Sequence, residues 1–163
     1  MDGKIIIGIG EYKAAKNPAI LVTLGLGSCV GVCIRDPSKR IGGMIHVMLP
    51  SSGGNRNVRN PGKYADTGIP LLLEEIKKLG GNLNNLEAKI AGGASMFKGS
   101  NNAINIGEKN VETVKKILRE HRIKLLAEDT GGNRARSIEY NISTGVLLVR
   151  IVGGGEKLEI KEI

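Results

Sequence analysis

Aromatic side chains are almost missing from this sequence. The 163 residues include three Tyr, one Phe and no Trp. Proteins that bind single-stranded nucleic acids stack the bases on exposed aromatic rings, so the shortage argues against a nucleic-acid partner despite the net charge of +8. The chain also lacks any apolar run near the roughly 18 residues of a transmembrane helix, and its start lacks a signal-peptide pattern. We therefore expect a cytoplasmic protein without direct membrane insertion.

Cysteine is scarce as well, since the chain has only Cys29 and Cys33. Four residues along a strand separate two Cα atoms by about 13 Å, which is too far for a disulfide bond. The two histidines do not complete a compact metal-ligand pattern with these cysteines. We expect two free thiols, no metal site and no cofactor.

Glycine, in contrast, is abundant, with 24 residues against a usual share of roughly 7%. Helical spacing predicts two helices, one with Thr67 as its N-cap and Pro70 in its first turn, the other following Asn105. The order ββββαβαββββ predicts an α+β or α/β layered sandwich in a single domain, residues 1–163, with mixed, largely antiparallel sheets. Alternating apolar residues predict the strands, at residues 5–9, 19–24, 28–35, 41–49, 86–91, 124–128, 137–142, 145–152 and 157–160.

The densest glycine cluster ends at a cysteine. Gly25, Gly27 and Ser28 lead directly into Cys29, and a strand pattern follows instead of the helix that a dinucleotide-binding turn requires. Backbone N–H groups in such a turn can point at a developing oxyanion beside a nucleophile. The alternative is a tight strand connection beside a small buried thiol.

A histidine in the next strand makes the catalytic interpretation more specific. If the connecting loop is the four residues 36–39, antiparallel pairing places Cys29 opposite His46. Side chains directly opposite share a face with Cβ atoms about 4.5–5.5 Å apart. The same register places Gly31 and Gly42 on this face, which leaves room beside the pair. An imidazolium there would lower the thiol pKa and favour the reactive thiolate.

Several blocks of the sequence together resemble the CheD family, the chemoreceptor glutamine deamidases of bacterial and archaeal chemotaxis. The blocks occur in the family's order over nearly the whole chain. They are residues 24–30, 43–50, 63–66, 92–97, 105–107 and 129–132.

The resemblance implies both a reaction and a set of residues. Selected glutamines on receptor cytoplasmic helices are converted to glutamate with release of ammonia. The family's catalytic cysteine, histidine and threonine match Cys29, His46 and Thr23. The implied partners are chemoreceptors as substrate and, in some species, the phosphatase CheC.

Two further groups of residues are candidates for partner contacts. Between Arg35 and Lys63 the chain carries six basic residues and one acidic residue, so we expect Arg56, Arg59 and Lys63 to steer an acidic receptor helix. A solvated basic loop is the alternative. Met96 and Phe97 follow a glycine-rich stretch and are candidates for contact with a receptor or CheC, with core packing as the alternative.

Other functions remain open from the sequence alone. The chain could be a non-catalytic adaptor that binds CheC and receptors, with an incidental thiol. It could also be a methylesterase-type hydrolase, because a thioester intermediate serves either leaving group. A basic nucleic-acid-binding domain is the third alternative, and a steep salt dependence of duplex binding would identify it.

Overall fold

The computed structural model describes residues 4–54, 58–95, 105–153 and 156–163. Its two helices are α1 (Ala65–Lys78) and α2 (Ile106–Glu120), and a short 3₁₀ turn (Pro61–Lys63) precedes α1. The strands are β1 (Lys4–Ile6), β2 (Tyr12–Lys16), β3 (Ile20–Leu26), β4 (Val30–Asp36), β5 (Ile41–Val47), β6 (Glu87–Gly92), β7 (Lys124–Thr130), β8 (Arg136–Asn141), β9 (Leu147–Gly153) and β10 (Glu156–Glu162).

The strands form two sheets of five. One, which we call the outer sheet, has the order β1-β3-β8-β9-β10, and the other, the inner sheet, has the order β2-β5-β4-β6-β7. The β1–β3 and β6–β7 pairs are parallel and the remaining pairs are antiparallel. The predicted layered α+β fold with mixed, largely antiparallel sheets is confirmed.

The inner sheet lies between two apolar layers. Val30, Val32 and Ile34 of β4 pack with the helices in one layer, whereas Cys33 of β4 and Met44 of β5 pack with the outer sheet in the other. Successive side chains of a strand point to opposite faces, so both layers draw on the same two strands. Every residue of β4 and β5 is consequently buried.

The first helix begins earlier than the sequence indicated. Tyr64 is the N-cap of α1, and Pro70 lies inside the helix. The predicted N-cap, Thr67, instead donates its hydroxyl hydrogen to the carbonyl of Pro61 at 2.6 Å. The 3₁₀ turn ahead of α1 thus takes up the group that would have capped the helix, and the prediction for Thr67 and Pro70 was wrong. The second helix has the predicted N-cap, because the Asn105 side chain accepts a hydrogen bond from the N–H of Glu108.

One strand, β2, was not foreseen. Its Ala and Lys residues have low strand propensity, yet it pairs antiparallel with β5 over its five residues. None of the helices in the described ranges is long and apolar enough to span a membrane.

Candidate active site

A threonine and a histidine meet between the two sheets. Thr23 belongs to β3 of the outer sheet and His46 to β5 of the inner sheet, and both are fully buried. The Thr23 hydroxyl oxygen lies 2.6 Å from His46 Nδ1. The same hydroxyl donates its hydrogen to the carbonyl oxygen of Ile7, also at 2.6 Å.

This hydrogen-bond chain assigns the tautomer of the imidazole. A hydroxyl has one hydrogen to donate, and the Thr23 hydroxyl gives it to Ile7. His46 Nδ1 must therefore carry a hydrogen and donate it to Thr23. Nε2 is left with a lone pair, and this buried atom has no hydrogen-bond partner within the part of the chain that the structure describes. Nε2 is thus the accepting nitrogen of the imidazole, and it is unoccupied.

The register of β4 and β5 differs from the predicted one. Gly31 pairs with His46, and the strands join through the four residues 37–40, because Asp36 already pairs with Ile41. The prediction of Cys29 directly opposite His46 was wrong: Cys29 precedes the first residue of β4, and the turn lies one residue later than expected. The observed pairing is displaced from the predicted pairing by two residues. Each side chain therefore keeps its predicted face of the sheet.

Cys29 and His46 lie on the same side of the inner sheet. Cys29 is half-buried and packs against the core between the sheets. His46 reaches the outer sheet from that side, since it hydrogen-bonds to Thr23. The fold brings the thiol and the imidazole into the same inter-sheet layer, with the thiol at partial exposure.

Burial shifts the pKa of each group toward its neutral form. Desolvation lowers the pKa of His46 to about 4 and raises the pKa of the Cys29 thiol, an effect that the hydrogen bond from its own backbone N–H partly opposes. The charged form is disfavoured in each case because the site is shielded from water. Both shifts run against the expected thiolate–imidazolium pair in the free protein.

The turn that carries Cys29 is held by its carbonyl groups. The carbonyl of Gly27 accepts from the N–H of Ala94 at 2.8 Å, and the carbonyl of Cys29 accepts from the N–H of Gly93 at 2.8 Å. Between them, the carbonyl of Ser28 accepts from the side-chain amide of Asn110 at 2.8 Å. Three successive carbonyls are thus fixed by the end of β6 and by α2.

The peptide N–H groups of the turn follow from this arrangement. In a trans peptide the C=O of one residue and the N–H of the next point in opposite directions. The N–H groups of Ser28 and Cys29 therefore point away from Ala94 and Asn110. The N–H of Cys29 bonds to its own sulfur, and no described group accepts from the N–H of Ser28.

The predicted oxyanion donors need correction. Gly25 donates its N–H to the Ser137 hydroxyl at 3.2 Å, and Gly27 donates its N–H to the carbonyl of Gly25 at 3.1 Å. Both amides are already engaged, so Gly25 and Gly27 shape the turn, with Gly25 at φ +68°. Ser28 is the one predicted turn residue whose N–H remains available.

The glycines beside the site differ in their roles. A Cβ on Gly31 would lie 2.6 Å from Ile138 Cδ1 and 3.6 Å from Thr23 Cγ2, so glycine lets the outer sheet approach His46. Gly42 was expected to leave room there, but it pairs with Arg35 and its Cβ would meet the Arg35 Cβ at 2.5 Å. The expectation for Gly42 was wrong, because it lies four residues from His46 along β5.

A family model and several curated relatives match this chain. The family model described as "CheD chemotactic sensory transduction" matches residues 48–151. The "Chemoreceptor glutamine deamidase CheD" of Thermotoga maritima is 66% identical over 160 residues, covering 98% of this chain and 99% of that protein. The "Probable chemoreceptor glutamine deamidase CheD" of Desulforamulus reducens is 48% identical and covers 96% of each chain. This chain belongs to the CheD family.

The family model begins after the three candidate catalytic residues, whereas the two CheD relatives align with nearly the whole chain. Among solved structures, the Bacillus licheniformis hypothetical protein YfiH gives a TM-score of 0.46 at 15% identity, covering 72% of this chain and 49% of that one. A likeness of that size carries no argument about function.

The structure describes two of the remaining five candidate residues of this CheD chain, Arg59 and Lys63. Lys63 lies beside the chain that follows His46, because its carbonyl accepts from the N–H groups of Met48 and Leu49 at 2.8 and 2.9 Å. Arg59 is exposed. The other three candidates lie outside the described residues, namely Arg56, Met96 and Phe97.

Sequence reasoning missed Asn110, which is fully buried on α2 and reaches the Cys29 turn. The signal was present, since Asn110 stands at the helical spacing of the buried Val114 and Ile117. A polar residue inside an apolar stripe needs hydrogen-bond partners. Within the described ranges, no group of three or more His, Cys, Asp or Glu side chains could hold a metal ion.

Proposed function

We propose that this CheD-family chain is a protein-glutamine deamidase that converts selected glutamines of chemoreceptor cytoplasmic helices to glutamate during chemotactic adaptation. Family membership makes it an amidohydrolase, and its curated relatives carry the name chemoreceptor glutamine deamidase. One observation carries the proposal for the site. The Thr23–His46 hydrogen bond leaves Nε2 as a free base on the side of the inner sheet where Cys29 lies.

The first step is attack of the thiol on the carboxamide. Nε2 of His46 takes the proton from Cys29 Sγ as the sulfur forms a bond to the side-chain carbonyl carbon of the glutamine. The carbonyl π electrons move to oxygen and give a tetrahedral oxyanion. The N–H of Ser28 is the free donor available to it in the turn, and the N–H of Cys29, which faces its own sulfur at rest, lies next to the reacting atom.

The next steps release ammonia and restore the enzyme. The imidazolium of His46 gives its proton to the amide nitrogen, the C–N bond breaks, and ammonia leaves a thioester behind. A water molecule then loses a proton to Nε2 and attacks the thioester carbon. The C–S bond breaks, the sulfur recovers the proton from His46, and glutamate is released. One glutamine and one water thus become one glutamate and one ammonia.

The burial of His46 favours the second of these proton transfers. With a pKa lowered to about 4, its imidazolium readily gives the proton to the leaving nitrogen. Thr23 keeps Nδ1 as a donor and so maintains the productive tautomer, the role that a carboxylate has in other triads. A hydroxyl stabilises the imidazolium less than a carboxylate does, in keeping with the low pKa of His46.

The deciding experiment measures deamidation of a chemoreceptor cytoplasmic fragment by mass spectrometry, together with ammonia release. Wild-type protein should convert glutamines, and Cys29→Ala should show no conversion above background. Cys33→Ala is the matched control and should remain active, because its thiol is fully buried inside β4 and cannot reach a substrate. Full activity of Cys29→Ala would refute the nucleophile. Methanol release from methylated receptors without ammonia release would instead identify a methylesterase.

The proposal extends to location and partners. A receptor-helix substrate places the enzyme in the cytoplasm, and the resemblance adds CheC as a partner, with Met96 and Phe97 as its proposed contacts. Phe97→Ala should weaken binding of CheC or of the receptor fragment, measured by titration calorimetry on a folded variant. Unchanged affinity for both partners would exclude the contact. An adaptor without catalysis would bind both partners and deamidate neither.

A further inference from the structure

Asn110 is a carboxamide in an apolar environment. It is fully buried on α2, and the neighbouring turns of the same face carry Val114, Ile117 and Leu118, which pack into the layer between the helices and the inner sheet. A buried amide is costly unless its hydrogen-bonding groups find partners. An apolar residue would satisfy the packing at this position without that cost, so the contacts of the amide need an explanation.

Its amide nitrogen joins two chain segments. Nδ2 donates one hydrogen to the carbonyl of Ser28 at 2.8 Å and the other to the carbonyl of Met48 at 3.0 Å. Ser28 directly precedes Cys29, and Met48 is two residues after His46. A single side chain therefore holds the segment with the nucleophile to the segment with the base.

The other end of the amide is free. Asn110 Oδ1 is buried without a hydrogen-bond partner among the described residues. The two carbonyls thus fix the orientation of the amide, and its donor end is the part that the fold uses. An unsatisfied buried oxygen is a local cost, and such costs persist where a group serves the working geometry of a site.

The contact with Ser28 also determines a backbone direction. Because the Ser28–Cys29 peptide is planar, holding the Ser28 carbonyl toward Asn110 turns the Cys29 N–H the opposite way, toward its own sulfur. Backbone N–H groups of Ala94 and Gly93 hold the carbonyls on either side. Of these three carbonyls, that of Ser28 is the one held by a side chain, so one substitution can release it.

We propose that Asn110 is a positioning residue, which aims the Cys29 N–H at the reacting centre and sets the spacing between Cys29 and His46. The kinetic part of this inference rests on the proposed deamidase function. The geometric part does not, because the reactivity of the Cys29 thiol with a small reagent can be measured without any receptor.

The test compares Asn110→Ala and the isosteric Asn110→Asp with Val114→Ala. Val114 is one helical turn further along α2 and is buried in the same apolar layer. Its side chain has no hydrogen-bonding group that could hold the Cys29 turn. We expect kcat for Asn110→Ala to fall roughly 10- to 100-fold, since small misplacements of catalytic groups have effects of this size, with KM within about twofold. Val114→Ala, assayed well below its melting temperature, should keep the wild-type kcat.

The second readout is the pH dependence of Cys29 alkylation by iodoacetamide, with the modified residue identified by mass spectrometry. Release of the Ser28 carbonyl should turn the Cys29 N–H away from the sulfur and raise the thiol pKa, so alkylation at pH 8 should slow relative to wild type and to Val114→Ala. A wild-type protein without deamidase activity would refute the proposed function and leave this readout intact.

Two results would overturn the inference. In the first, Asn110→Ala equals Val114→Ala in both kcat and thiol pKa, which would make Asn110 a packing residue. In the second, Asn110→Ala does not fold and Asn110→Asp, which keeps the shape but offers no amide donor, retains wild-type kcat and alkylation. Loss of kcat with a raised thiol pKa in either variant supports the positioning role.

Discussion

The two cysteines stand four residues apart and face the same inter-sheet layer, but they differ in solvent exposure and in expected reactivity. Cys33 lies inside β4, is fully buried, and burial raises its thiol pKa far above the ordinary range. Cys29 lies just before β4, is partly exposed, and receives a hydrogen bond from its own N–H. Cys33 therefore lies in the core of the sheet. Cys29 lies at the edge of the sheet, in the layer that also contains His46.

The difference shows where reactivity comes from. Burial raises the pKa of both thiols, so an elevated thiolate population does not distinguish them. Cys29 differs in having a held turn with directed N–H groups and access from solvent. The proposed mechanism therefore uses general-base activation during attack and no preformed ion pair.

The alkylation rate should show the largest difference between the two thiols. We expect iodoacetamide to modify Cys29 in the native protein at least about 1000-fold faster than Cys33, which becomes accessible only through extensive opening of the core. The Cys29 rate should keep rising with pH through about 8.5, because burial raises its pKa. Peptide mapping of the modified protein measures both rates.

The same alkylation measurement can contradict the expected difference between the two cysteines. A Cys29 rate that levels off near neutral pH would show a stable thiolate and would contradict the neutral resting state. Modification of Cys33 at a similar rate in folded protein would show that the inter-sheet layer does not shield it.

Removal of the Thr23 hydroxyl should have the next largest effect. Thr23→Val keeps the shape but leaves Nδ1 of His46 and the carbonyl of Ile7 without their shared partner. We expect kcat to fall about 10- to 100-fold, less than the loss on replacing a triad carboxylate, while Cys33 remains as protected as before. Thr23→Ser, which retains the hydroxyl, is the matched control. Equal kcat for Thr23→Val and wild type would remove Thr23 from the catalytic set.

Charge reversal at Arg59 and Lys63 should have the smallest effect of the changes considered. Arg59→Glu with Lys63→Glu should lower kcat/KM for an acidic receptor fragment about threefold at low salt, and the difference should vanish at high salt, as expected for surface steering. Alkylation of Cys29 by the neutral reagent should not change. A change that persists at high salt would point to direct contact or to a disturbed 3₁₀ turn instead of steering.

Local patterns in the sequence were sufficient for most of the elements. Asn105 was predicted to cap α2 and does so, because an N-cap depends on residues within one turn. The strand β2 was missed, because pairing with β5 outweighs the poor strand propensity of its Ala and Lys residues. Thr67 failed as a cap for a similar reason, since its hydroxyl bonds to a carbonyl six residues away.

The sequence by itself determined the candidates for the chemistry: a cysteine after a glycine turn, a histidine in the next strand, and blocks that resemble the CheD family. Tertiary structure alone decided how these candidates are arranged. The register placed Gly31, not Cys29, opposite His46, the approach of two sheets buried the imidazole and joined it to Thr23, and Asn110 reached the turn from a helix eighty-two positions away from Ser28. Desolvation, pairing register and long-range hydrogen bonds depend on groups that are distant in sequence, so no local pattern contains them.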